Sequence, residues 1–163
     1  MIKPMVFNEQ KGATLVELLV AAGISVIVVG VITGSLAQFI LVSRWGNDQL
    51  LVTNSLQTAS LWLGRDVLES HAFTAGSGNE YGTLSWEDGS QQFRYSYDAG
   101  NQTLIREHLI GGVVQSSQTA ARRIEDQSDI TFTLNGDLLS ISLTVTSGDV
   151  SETRQLDLAM RSR

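Results

Sequence analysis

Apolar and polar positions divide this chain into three stretches with different periods. From Leu18 to Val42 no residue is charged, a run of about 25 positions. At about 1.5 Å per helical residue, such a run reaches across a hydrocarbon layer of roughly 30 Å. Its polar members, Ser25, Thr33, Ser35 and Gln38, are uncharged. Gly23, Gly30 and Gly34 each cost about 1 kcal/mol of helix propensity in water. In lipid, glycines are common and permit close helix approach. Past Gly46-Asn47 the pattern becomes amphipathic. Val52, Leu56, Ala59, Leu63 and Val67 recur at helical spacing, with Asn54, Gln57, Arg65, Asp66 and Glu69 mostly off that stripe. These two stretches predict one helix from about Thr14 to about His71, with Gly46 as the place for a bend. The apolar stripe of its second half is read as a core face rather than a cofactor site.

The third stretch alternates. Thr74 to Asn79 reads as a loop. Tyr81–Trp86 and Gln92–Tyr97 flank Glu87-Asp88-Gly89-Ser90, a hairpin signal. Asp98 to Asn101 then turns into Thr103–Arg106, and Gly111-Gly112 marks another turn before Val113-Val114. Thr119 to Asp126 is expected as a short helical turn with Arg122-Arg123 exposed. Ile130–Leu134 and Leu138–Val145 surround Asn135-Gly136-Asp137, and Gly148-Asp149 leads into a last strand from Val150 to Met160. The expected fold is α+β: a long N-terminal helix, transmembrane in its first half, packed on a C-terminal antiparallel sheet. A sheet with one apolar side needs such a helix to cover it. The predicted divisions are a membrane helix over 13–43, its amphipathic second half over 44–72 and a β-rich domain over 73–163.

Charge orients the apolar run. Lys3 and Lys11 precede it, with Glu9 between them, and Arg44 is a single opposing charge after it. Basic flanks favour the cytoplasmic side, so the amino end is expected inside and the β-rich domain outside. Trp45 suits a membrane interface. The chain has 163 residues, of which 17% are charged, below the roughly 25% of an ordinary soluble domain. Its net charge of −6 and lack of a long basic cluster predict no nucleic-acid contact. Without cysteine there is no disulfide, thiolate metal site or Cys nucleophile. The apolar run alone admits a permanent single-pass anchor or a secretory signal cut near Ser35-Leu36-Ala37.

A third reading rests on the residues just upstream. Lys11-Gly12-Ala13-Thr14-Leu15-Val16-Glu17-Leu18-Leu19-Val20 resembles the leader junction of type IV prepilins. In that family a short basic leader ends in Gly, and a Thr-Leu-[Ile/Val]-Glu-Leu-Leu core opens a long apolar helix. The resemblance implies a leader over 1–12, cleavage between Gly12 and Ala13 by a prepilin peptidase, and N-methylation of Ala13, where most members carry Phe or Met. It covers about a fifth of the chain. Weaker likenesses to minor pilins and pseudopilins of the J or W type lie in Leu61–Asp66, Phe93–Tyr97, Leu104–Arg106 and Leu156–Arg161. The only proline is Pro4, so the proline that many pilins carry inside the membrane helix is missing.

Glu17 carries two readings that can coexist. Thr14-x-x-Glu17 is a capping-box pattern, and an acid in the first turn suits the helix dipole. In the family, this acid is thought to meet the free amine of a neighbouring subunit during filament assembly, which relieves the cost of a lone charge in lipid. The partners implied are prepilin peptidase, other pilin or pseudopilin subunits, an inner-membrane assembly platform and membrane lipid. The location implied is the cytoplasmic membrane, then an extracytoplasmic filament. The chain contains no P-loop, GxGxxG, HExxH or GxSxG motif. His71 and His108 lack metal-ligand spacing, and Asp126, Ser128 and Asp129 read as solvated loop residues rather than calcium ligands. No catalytic residue, metal or cofactor is expected, and the protein is expected not to be an enzyme. The rival reading is a membrane-anchored extracytoplasmic binding module, an adhesin or sensor with an uncleaved anchor.

Overall fold

The computed structural model describes residues 14–161. Helix α1 runs from Leu15 to Glu69, helical through Gly46, two residues short of the expected end at His71. From Thr14 to Trp45 every residue is exposed, including the whole apolar run. This helix is long and apolar enough to cross a membrane. Two of the four polar side chains in the run are bonded locally. The Ser25 hydroxyl donates to the Ala21 carbonyl and the Thr33 hydroxyl to the Val29 carbonyl, both at 2.8 Å. A hydroxyl bonded to the carbonyl four residues back leaves no free donor for lipid to meet.

The chain divides into two compact units, Met1–Ser43 and Arg44–Arg163. In the second unit, α1 turns one face inward. Val52, Leu56, Ala59, Leu63 and Val67 are fully buried, as their spacing predicts. They belong to one core cluster with residues from two antiparallel sheets. The first sheet is a five-stranded meander: β1 (Ala72–Ala75), β2 (Glu80–Ser85), β3 (Gln91–Asp98), β4 (Thr103–Ile110) and β5 (Val113–Arg122). It contributes Leu84, Phe93, Tyr95, Tyr97 and Leu104 to the core. The second is a three-stranded meander: β6 (Ile130–Asn135), β7 (Leu138–Ser147) and β8 (Val150–Ala159). Its Leu139, Ile141, Leu143 and Val145, alternating along β7, are buried in the same core.

The hairpins fall where turn chemistry predicts. Gly111 and Gly112 have φ of 57° and 80°, the pair of left-handed values a two-residue hairpin needs. The expectation of a helical turn over Thr119–Asp126 is corrected. Thr119 to Arg122 continue β5, and the short 3-10 helix lies at Gln127–Asp129. Pairing of β5 with β4 decides this, since the ladder runs on to Arg122 opposite Thr103. The expectation of one sheet also needs correcting. Between β5 and β6 the chain leaves the ladder at Arg123, with φ of 62°, and β6 starts a second sheet. Aromatic contacts join the sheets: the Phe132 ring of β6 lies 5.5 Å from Tyr81 and 5.9 Å from both Phe73 and Tyr95.

Candidate functional site

The candidate site at the chain's start is represented among the described residues by Thr14 and Glu17. The Thr14 hydroxyl accepts from the Glu17 amide at 3.3 Å, and the Glu17 carboxylate accepts from the Thr14 amide at 3.3 Å. A further contact runs from the Thr14 hydroxyl to the same carboxylate oxygen at 3.4 Å. These reciprocal bonds form the capping box that the Thr-x-x-Glu pattern predicts. They occupy two of the amide groups that a helix start leaves without partners. The bonds are long and solvent-exposed, so the carboxylate is held loosely and keeps a free oxygen. Immediately after it the charge-free run begins. Lys3, Lys11, Gly12 and Ala13, the residues expected to orient and to be processed, lie outside the described residues.

The acids weighed as calcium ligands are occupied otherwise. Asp126 caps the 3-10 helix, accepting from the Ser128 amide at 2.8 Å, and the Asp129 carboxylate accepts from the Asp126 amide at 2.9 Å. The amide and hydroxyl of Ser128 hold the Asp126 carboxyl below its ordinary value. No group of three or more His, Cys, Asp or Glu among the described residues is arranged to hold a metal ion. The two histidines are not brought together. His71 faces Glu87 at 3.9 Å, whereas His108 lies against Phe93 with ring centroids 4.9 Å apart and the rings tilted by 35°.

One polar cluster escaped the sequence reading. Asp66, expected mostly off the apolar stripe, is fully buried on it. Its position three residues after Leu63 and one before Val67 was the available signal. One carboxylate oxygen accepts from the Tyr95 hydroxyl and from Arg106 Nε, both at 2.6 Å, and the other accepts from Arg106 Nη2 at 2.9 Å. The guanidinium lies 3.7 Å from the Phe93 ring centroid and 4.5 Å from that of Trp62. Burial, with the Asp66 charge adding to it, pushes the Tyr95 phenol well above its ordinary value. This bidentate pair ties α1 to β3 and β4. Its donors and acceptors are matched, so it positions elements and offers no free group for proton transfer.

Neither a family model, nor a curated protein, nor a solved structure matches this chain.

Proposed function

We propose that this protein is a structural filament subunit of the minor pilin or pseudopilin kind, cleaved after Gly12 and anchored by its apolar helix until assembly. A single arrangement carries the reading: a carboxylate one turn into a helix, at the head of an exposed, charge-free stem, directly after the Lys11-Gly12-Ala13 junction. A capping acid alone accounts for the local bonds. It does not account for a basic leader ending in Gly just ahead of it. Cleavage there would leave a cationic amine at Ala13, four residues before Glu17. In lipid, that amine on one subunit and Glu17 on another each cost free energy alone and relieve each other as a pair. Stem helices, already solvated by lipid, gain specificity from packing and from such pairs rather than from burial itself. The role is structural, with no chemistry assigned to the β-domain.

Mass spectrometry of the mature amino terminus tests this directly. A chain starting at Ala13, methylated or not, supports the reading. A start at Met1, in cells with an active prepilin peptidase, overturns it and leaves the anchored binding module. A start at Gln38 overturns both.

A further inference from the structure

Beside the C-terminal end of β5 a groove opens between α1, β5 and the β3–β4 turn. It has two lobes, of about 210 and 520 Å³, which share Leu51, Thr119, Arg122 and Arg123. Three observations make it a built site. First, the two non-glycine residues with left-handed backbone among the described residues, Gln102 at φ 53° and Arg123 at φ 62°, both line the larger lobe. Such backbone is unfavourable for residues with a Cβ and persists where its surroundings hold it. Here they do: the Gln102 carbonyl accepts from the Ile124 amide, and the Arg123 carbonyl from the Thr146 amide, each at 3.0 Å.

Second, Arg122 is clamped by its backbone, leaving its side chain free. Its amide donates to the Ser55 hydroxyl at 2.8 Å, and its carbonyl accepts from that hydroxyl at 2.9 Å. Third, the charges are unanswered. Arg122-Arg123 is the only adjacent pair of cations in a chain of net charge −6. Both are exposed, and among the described residues neither has a carboxylate within 4.0 Å. The one acid lining the groove, Asp98, is taken up by the Gly100 amide and by Asn101.

A paired, planar guanidinium site suits carboxylates. The chain carries a matching group at the far end of the same strand. Glu87 and Asp88 sit exposed in the turn that enters β3, while the groove lies at the turn that leaves it. Eight strand residues separate them by roughly 25 Å, too far to meet within one copy. The other adjacent acids, Glu125-Asp126, do not line the groove; Asp88 accepts from the Ser90 amide and hydroxyl and Glu87 lies 3.9 Å from His71, with both acids still exposed. We infer that the Arg122-Arg123 groove receives the Glu87-Asp88 turn of a second copy, a head-to-tail contact between β-domains. A contact between two different patches repeats without closing on itself, as a filament requires. The inference deepens the subunit reading and rests on it.

The chain has no cysteine, so a test by introduced thiols is clean. Full-length Gln91→Cys, beside the acidic turn, and full-length Asn54→Cys, beside the groove, are mixed in detergent micelles and mildly oxidised. The expected product is a mixed disulfide dimer well above twice the abundance of either homodimer, the ratio that random pairing of equal amounts gives. Arg122→Glu with Arg123→Glu in the Asn54→Cys partner lowers its yield about tenfold, as losing paired charges across an interface does. Adding Glu87→Arg with Asp88→Arg to the other partner restores it. A mixed dimer at no more than twice the abundance of either homodimer overturns the inference, as does a yield indifferent to charge reversal. Predominant Asn54→Cys homodimers also overturn it, pointing to a two-fold contact through Glu125-Asp126. The mature amino terminus is measured separately, so failure of the head-to-tail contact and failure of the subunit reading are distinguishable.

Discussion

The two halves of α1 are one continuous helix built for different surroundings. Up to Val42 its apolar side chains point in all directions and all are exposed: Ile27 at 68%, Phe39 at 71%, Val42 at 68%. Beyond Arg44 only one face is buried, from Val52 to Val67, and the rest of the circumference carries Asn54, Gln57 and Arg65 among exposed leucines such as Leu61 and Leu68. A helix apolar all round has no single side to cover, so its partner must surround it, as lipid or a bundle does. A helix with one apolar stripe is satisfied by a sheet. The lesson extends to polar groups. In the first half Ser25 and Thr33 are small, uncharged and bonded to their own backbone. In the second, a full carboxylate is buried, because β3 and β4 bring it a phenol and a guanidinium.

The contrast is broken most severely at Asp66. Replacing Asp66 by Ala strands the buried Arg106 charge and should cost about 3–5 kcal/mol of stability. Chemical denaturation of the full chain in micelles, followed by Trp fluorescence, measures it. The paired change Asp66→Leu with Arg106→Met should cost markedly less, because it leaves no buried charge alone. A double variant as unstable as the single one would show that the pair contributes more than the avoidance of a lone charge.

A matched pair of truncations sharpens the comparison. Leu56→Ala, in the buried stripe, should lower stability by about 2–5 kcal/mol through lost contacts and a residual cavity. Leu36→Ala, in the exposed run, should change the β-domain's unfolding by less than about 0.5 kcal/mol. Equal effects in the same denaturation assay would mean that the first half also packs on the folded domain.

The smallest effect near neutral pH concerns the three tyrosines. Burial raises the phenols of Tyr81, Tyr95 and Tyr97, with carboxylates nearby adding to it: Asp66 at Tyr95, Asp126 and Asp129 at the other two. A phenol whose folded value lies above its unfolded value stabilises fully below the unfolded value, near 10. That stability is lost as pH rises from about 10 toward the folded values. Absorbance of tyrosinate and far-UV circular dichroism should therefore change together above about pH 10. Smooth ionisation of all three near pH 10, with the fold intact, would contradict the burial of their hydroxyls. Below pH 10 no change in stability is expected from these groups.

Much of the fold was legible because it is local. The core stripe from Val52 to Val67 follows from helical period. Gly111-Gly112 and Asn135-Gly136 mark hairpins, and Thr14 with Glu17 marks a helix start through its own backbone. The division into two sheets was not legible, since β5 and β6 each carry strand patterns and nothing in them says whether they pair. The length of β5 was hidden too. Thr119–Arg122 takes its conformation from β4, a partner that local propensity does not contain. Of the candidate site, the capping contact of Glu17 was foreseen, whereas Asp66 was misassigned because a charged residue is seldom buried without a partner.

Periodicity and charge spacing alone were enough to place the stem, the stripe and most turns, because each depends on neighbours within a few residues. Only the folded chain revealed which charges are answered and which are not. Asp66 finds Arg106 forty positions away, while Arg122 and Arg123 come to border a groove whose one acid, Asp98, is taken up by Gly100 and Asn101. Coulomb energy depends on distance and burial, and neither is set until strands remote in sequence lie side by side.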